Sequence, residues 1–536
     1  MWSKQPANGA ALTARQCLIE AGPVFLLSAV FYTWLSVRDG YIGNITDSGV
    51  YLTIADYLSP YRPALHELGV SMFYDFTFPP LYPLLLAFMG GGSDYPVASY
   101  AATSCMSAGA VCAVYLWLRM QRLLLAEALG ITLIFALSPA TMLTAISIQS
   151  EPLYVAMVFA GFALWRVERA GSPAHAFGAV LIGMSALVRM VGITGIAALL
   201  IHWLSDATRS KRLTILILAL VPITAWTLVK TINGMESSYI DSVARESLPA
   251  TFAYLADQLA INLPAIWLGL VRGFDLIGTP HASYAVGLLS LLFFVGWILR
   301  ARRFEIESLY LAFYLALIAV WPYPDHMRRF LQVLLPIFLF YSYVGVNFLA
   351  SYCAPSIRQV AGMAQIVIIM LVLAPSTLVM VRQVIASEGT AAENFVRSPQ
   401  WYMYDTPLRA TAVMNGVTRV LDAMRGIDEH LPAGACVSST AYSYIPLYGR
   451  RRGQPLAGVS TDDERFFARL RDCPYVFMMA ATQWPGHEFP PMYPYERIKD
   501  RLEVVEVSMW DKTATKGTVL TMLGRVRFAG DDALPD

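Results

Sequence analysis

The sequence predicts a polytopic α-helical membrane protein of about eleven transmembrane helices. The N-terminus lies inside, the C-terminus outside, and a small extracytoplasmic α/β domain closes the chain. Three observations predict this. Of 536 residues, 56% are hydrophobic and only 14% charged, about half the charged share of a soluble domain, and the mean hydropathy is +0.51. Apolar runs close to the ~20 residues that cross a ~30 Å hydrocarbon core recur through residues 1–385. Over residues 386–536 charge returns and the apolar runs shorten. A net charge of +1 provides no basic footprint for nucleic acid. The six cysteines show no C-x-x-C pair, so a zinc site is unsupported.

The first span is Gly22–Val37, read as uncleaved because Trp34 and Leu35 stand where a signal peptide would have small residues. Val97–Leu118 follows, closed by Arg119 and Arg122. The apolar stretch Leu123–Trp165 would run ~65 Å as one helix, twice the bilayer. It must fold back at Gln149-Ser150-Glu151-Pro152, where proline suits the first turn of a new helix. Ala176–Leu204 lies between Arg166 and Arg169 on one side and Arg209, Lys211 and Arg212 on the other. If both clusters are cytoplasmic, the segment enters and returns as two half-length helices turning near Arg189–Gly192, and such a turn is tolerated only against protein or water. The remaining spans are Leu213–Thr231, Tyr284–Leu299, Leu309–Trp321, Phe330–Leu349 and Met363–Val381.

With eleven spans, the short connections carrying Arg119/Arg122, Arg166/Arg169, Arg209/Lys211/Arg212, Arg300/Arg302/Arg303 and Arg358 share one face, the cytoplasmic one by the positive-inside rule. Loops 39–96 and 232–283 and the C-terminal tail then lie outside. In the tail, strands are expected over Ala435–Ser439, Tyr475–Ala480, Leu502–Met509 and Thr518–Leu523, and a helix over Thr411–Met424. Cys436 and Cys473 are equally compatible with a disulfide and with two thiols.

In the first outer loop, Asp47, Tyr51, Ala55 and Leu58 share one helical face. A carboxylate at a helix start suits the helix dipole, and a simple cap is the alternative reading. Phe78-Pro79-Pro80-Leu81-Tyr82-Pro83-Leu84-Leu85-Leu86 is a rigid aromatic entry to a short apolar helix. These motifs in this order resemble the GT-C superfamily of integral-membrane glycosyltransferases, which includes aminoarabinose transferases and protein O-mannosyltransferases. Its pattern is an acidic residue in the first outer loop, a Y-x-x-x-A-x-x-L helix, then P-P-L-Y-P-L-L. The resemblance continues through Ser150-Glu151-Pro152-Leu153-Tyr154, through Gly183 with Arg189, and through Arg328-Arg329-Phe330 to Pro336. Tyr448-Gly449-Arg450 resembles a Y-x-G-R strand end, one residue short. Many relatives carry a second acid after the first; here Ser48 follows Asp47, so no metal ligand set is assigned, and a divalent cation stays open.

The resemblance implies an inverting transfer of a sugar from a polyprenyl-phosphate donor to a lipid, polysaccharide or protein acceptor, at the extracytoplasmic face of the inner (cytoplasmic) membrane. Such displacement needs a base for the acceptor hydroxyl and cations for the departing phosphate. Asp47 is expected as the base, and Glu151 as the second acid, positioning acceptor or supporting a hydrogen bond. Arg189, inside an apolar segment, either binds donor phosphate or pairs with a carboxylate. Of Arg328 and Arg329, one is expected on the phosphate and the other at the headgroups. Tyr51, Tyr82 and His326 are expected to line the cavity, Asp56 to be structural, and Arg450–Arg452 to form a basic turn. Two other classes share the topology: a lipid-linked sugar flippase or transporter, which repeated halves would favour and none are found, and a noncatalytic membrane scaffold.

Overall fold

The computed structural model describes residues 14–39, 45–61, 68–69, 73, 78–93, 96–167, 173–205, 213–233, 235, 247–275, 278–322, 324–386, 407–456, 463–479, 495–509 and 519–528. The expected cytoplasmic residues Arg169, Arg209, Lys211 and Arg212 lie outside these. The membrane region begins with α1 (Ala14–Asp39), α2 (Ile45–Leu58), α3 (Leu81–Phe88) and α4 (Pro96–Met120). It continues with α5 (Leu125–Leu137), α6 (Pro139–Ile146), α7 (Glu151–Trp165), α8 (Pro173–Ser185), α9 (Ile193–Ser205) and α10 (Leu213–Ile232). Then come α11 (Leu248–Phe274), α12 (Pro280–Ala301), α13 (Ile306–Ala319), α14 (Met327–Gln332), α15 (Leu335–Ala350) and α16 (Pro355–Ala386).

Among the described residues six helices are long and apolar enough to cross a membrane: α1, α4, α10, α11, α12 and α16. The pair α5–α6 passes the same test together, bent by 59°. The shorter apolar helices α7, α8, α9, α13 and α15 complete the set, so each of the eleven expected segments is helical. Three details differ from expectation. Phe330–Leu349 is not one helix but breaks at Val333–Leu334, between α14 and α15. Leu123–Trp165 breaks at Gln149–Ser150 as expected, but also at Ser138, whose hydroxyl accepts from Thr141 N at 3.3 Å while Pro139 opens the next helix. The expected outer loop 232–283 contains the 27-residue helix α11, apolar enough to span.

Close backbone approach holds the bundle together, as it must where lipid removes the hydrophobic drive between helices. A Cβ on Gly296 would sit 2.0 Å from the Tyr341 carbonyl oxygen, and one on Gly345 2.0 Å from that of Leu292, so α12 and α15 meet main chain to main chain. At one end of the bundle the basic residues of two connections and the amide of a third converge on buried Glu307 and half-buried Glu305. Arg166 reaches Glu305 at 2.6 Å and Glu307 at 2.7 Å, while Arg300 reaches Glu307 at 2.5 Å and Gln121 at 2.8 Å.

The C-terminal unit comprises α17 (Pro407–His430), β1 (Cys436–Ser439), α18 (Ile445–Tyr448), β2 (Arg452–Pro455), α19 (Asp463–Asp472), β3 (Tyr475–Met479), β4 (Leu502–Met509) and β5 (Val519–Val526). The sheet order is β2-β1-β3-β5-β4, parallel across the first three strands and antiparallel across β3-β5-β4. The four expected strands and the helix are present; α18, β2 and α19 are additional. Cys436 and Cys473 are disulfide-bonded, with Cα atoms 4.9 Å apart. The expected basic turn 450–452 is not uniformly solvated. Arg451 is buried on Asp428 and on the carbonyl of Leu431, and Arg450 has a left-handed φ of 49°. Tyr448-Gly449-Arg450 ends a helical turn ahead of β2 rather than ending a strand.

Candidate active site

Four charges from four distant segments meet at the opposite end of α7 and α13 from the Arg166–Glu307 cluster. Asp47 stands in the first turn of α2 and Glu151 opens α7. Arg189 lies in the turn between α8 and α9, and Arg329 in the short helix α14. Each of α8 and α9 has 13 residues, ~20 Å of rise and well short of a ~30 Å core. The turn between them is therefore carried into the interior of the fold.

Arg329 binds both carboxylates. Its Nη1 donates to Asp47 Oδ2 at 2.5 Å, its Nε donates to Glu151 Oε1, and its Nη2 donates to Glu151 Oε2 at 3.3 Å. Arg189 Nη1 lies 2.5 Å from the same Glu151 Oε1 and donates to Ser150 Oγ at 3.3 Å. Its guanidinium sits 5.6 Å over the Phe330 ring. Side-chain exposure is 0% for Glu151, 10% for Arg329, 13% for Arg189 and 21% for Asp47, so Asp47 faces its partner rather than bulk solvent. Two acids and two guanidiniums cancel in formal charge, and this makes such burial tolerable. Burial pushes the Asp47 pKa up, but the positive charges of Arg329, His326 and Arg189 outweigh it and hold the carboxyl below its usual value.

Aromatic side chains set this cluster in place. Tyr51, one turn after Asp47, is buried with its hydroxyl 2.9 Å from Ser150 Oγ, and its ring packs edge-on against Phe78 and Tyr82. Tyr82 turns its hydroxyl to Thr103 Oγ1 at 2.8 Å. The backbone N–H of Leu81 donates to the Leu187 carbonyl at 2.9 Å, hooking the proline-rich entry onto the turn that carries Arg189. His326 caps α14 and stacks on Phe330 at 6.2 Å.

The structure thus brings together Asp47, Glu151, Arg189, Arg329, Tyr51, Tyr82 and His326. Arg328 is one position from Arg329 on a helix, about 100° around it, and its backbone packs against Gly269 of α11. Asp56 is away from the cluster, accepting from Ser93 N at 3.2 Å, in the structural role expected. Glu151 is not a solvated loop residue but the most buried member. Ser150 and Phe330 belong to the site and were not singled out. Both were flagged only by adjacency, one in the Ser-Glu-Pro break and the other after the paired arginines. Among the described residues no group of three or more His, Cys, Asp or Glu side chains converges. A guanidinium between two carboxylates does not make a divalent-cation site.

No protein-family model matches the sequence, and no curated protein matches it. Among the solved structures that resemble it in fold are two of ArnT from Cupriavidus metallidurans. The apo form aligns with a TM-score of 0.50 at 12% identity, covering 95% of this chain and 98% of that one. The form bound to undecaprenyl phosphate aligns with a TM-score of 0.51 at 12% identity over the same shares. At this identity the likeness is one of fold: the chain folds as these two ArnT structures do.

Proposed function

We propose that the chain is an inverting glycosyltransferase that moves a sugar from a polyprenyl phosphate to an acceptor hydroxyl on the extracytoplasmic face of the inner membrane. In this reading the acceptor oxygen attacks the anomeric carbon while Asp47 takes its proton. The bond from that carbon to phosphate oxygen breaks with inversion, and the departing phosphate is held by Arg329 and Arg189. Glu151 keeps the two guanidiniums in register between turnovers. One observation carries the reading: a carboxylate at the start of an outer-loop helix lies 2.5 Å from a guanidinium that a buried acid also holds. The fold shared with an ArnT bound to undecaprenyl phosphate supports the donor class.

The eleven-span topology, with the N-terminus inside and residues 386–536 outside, belongs to the same proposal. Helix α11 then stays on the outer side. Asn262 donates to the carbonyls of Ile318, Ala319 and Trp321 at 3.3, 3.1 and 2.7 Å, setting α11 beside the segment that leads to Arg329. A crossing by α11 would instead put Arg300, Arg302 and Arg303 outside, against the positive-inside rule.

The test is Asp47→Ala in membranes supplied with undecaprenyl-phosphate sugars. Transfer should vanish, and turnover near the wild-type rate would refute the assignment. Arg189→Ala should weaken donor binding more than acceptor binding, and equal losses would make Arg189 purely structural.

A further inference from the structure

The C-terminal unit touches the membrane region at one informative place. Helix α2 is clamped between two bodies. Tyr51, Leu52 and Ala55 pack into the main membrane core, while Val50 and Ile54 form a separate cluster with Tyr442 of the C-terminal unit. At 100° per residue the two sets are centred about 130° apart around α2, and Asp47 sits on the border between them.

The contact on the C-terminal side is close. A Cβ on Gly49 would stand 2.9 Å from the Ser443 carbonyl oxygen and 3.0 Å from the Tyr444 ring, so only hydrogen fits there. The corner that presents these groups, Tyr442–Tyr448, is itself held. Ser439 Oγ at the end of β1 accepts from Ala441 N at 3.1 Å, and Tyr444 N donates to the Ala441 carbonyl at 2.9 Å. A Cβ on Gly453 of β2 would stand 2.1 Å from the Tyr442 carbonyl oxygen. The sheet therefore sets the corner, and the corner sets α2.

An isolated 14-residue helix is marginal on its own, so its angle about its axis is decided by what grips it. Tyr51 grips one side through Ser150; the corner grips the other. We propose that the Tyr442–Tyr448 corner is a positioning element of the active site, aiming the Asp47 carboxylate from the C-terminal unit. The inference rests on the reading of Asp47 as the base. It assigns the C-terminal unit a part in the chemical step, beyond any role in acceptor choice. Arg189 and Arg329 come from other segments, so loosening the corner does not weaken donor-phosphate binding.

Two variants of the full-length chain test this: Gly49→Ala, which adds a methyl at the seam, and Tyr442→Leu, which removes the ring without adding bulk there. Each is reconstituted in vesicles and read by release of undecaprenyl phosphate from an undecaprenyl-phosphate sugar, with water taking the sugar in place of the acceptor hydroxyl, and by titration with undecaprenyl phosphate alone. A misplacement of an ångström or less should lower kcat about 10- to 100-fold without weakening undecaprenyl phosphate binding. The inference is overturned if kcat is unchanged in both, or if binding weakens in step with kcat, while Asp47→Asn remains inactive. Normal turnover in Asp47→Asn would instead remove the base assignment beneath it.

Discussion

Asp47 and Arg329 are 282 residues apart in the chain and 2.5 Å apart in space, and Arg329 reaches Glu151 with the rest of its guanidinium. The cation proposed to receive donor phosphate is therefore already occupied, and the proposed base is already neutralised. On the proposed mechanism the phosphate competes with Asp47 for Arg329, and its arrival frees the carboxylate.

Asp47→Asn should therefore act in two directions. Transfer should fall by about 10²- to 10⁴-fold, the usual contribution of a general base. Binding of undecaprenyl phosphate should tighten, because an amide competes for Arg329 less well than a carboxylate. Titration of the purified variant measures this, and weaker binding than wild type would contradict the competition.

The pH dependence follows with a definite sign. The Asp47 carboxyl is held below the ordinary value of 3.8 in the free protein. Its ion pair stays intact below that value and is lost as pH falls through the lower, folded-state pKa. The acid limb of kcat/KM, which reports the free enzyme, should lie below the ordinary aspartate range. The limb of kcat should lie higher, since bound phosphate draws Arg329 away. Coincident limbs would show that Arg329 never leaves Asp47.

At the other end of the bundle, Glu307 is fully buried between Arg166 and Arg300. Glu307→Ala would leave Arg166 and Arg300 sharing Glu305, with one positive charge uncompensated, and should cost up to about 3–5 kcal/mol. Thermal unfolding in detergent checks the loss. Undecaprenyl phosphate affinity of the folded fraction should not change.

The Cys436–Cys473 disulfide closes a separation of 37 residues. Chain entropy alone assigns such a closure about 3–4 kcal/mol. Cys473→Ser should destabilise the C-terminal unit by that order, read by proteolysis of that unit before the membrane helices unfold.

Much of this arrangement was legible because charge in apolar surroundings is conspicuous. Arg189 stood out within an apolar run, and the flanking basic clusters required the α8–α9 hairpin. Asp47 and Glu151 were legible through motifs, yet nothing in the spacing showed that one arginine would hold both. Helix α11 was missed because Asp257, Gln258, Asn262 and Arg272 interrupt its apolar run, whereas α1, at the same mean hydropathy of 1.3, has no charge between Gly22 and Val37. The bend at Ser138 did have a local signal, the Ser-Pro pair, hidden in an otherwise uniform apolar stretch. The seam between Gly49 and Ser443 had none, because a main-chain contact across nearly 400 positions leaves no side-chain pattern to read.

The shortness of α8 and α9 has one more consequence. A lipid-linked headgroup can meet Arg189 without being lifted clear of its leaflet, provided the bilayer dips to the level of the turn. Local thinning carries an elastic cost that rises with acyl-chain length. On the proposed function, turnover should therefore be tuned by the surrounding lipids, faster in short-chain vesicles and slower in long-chain ones.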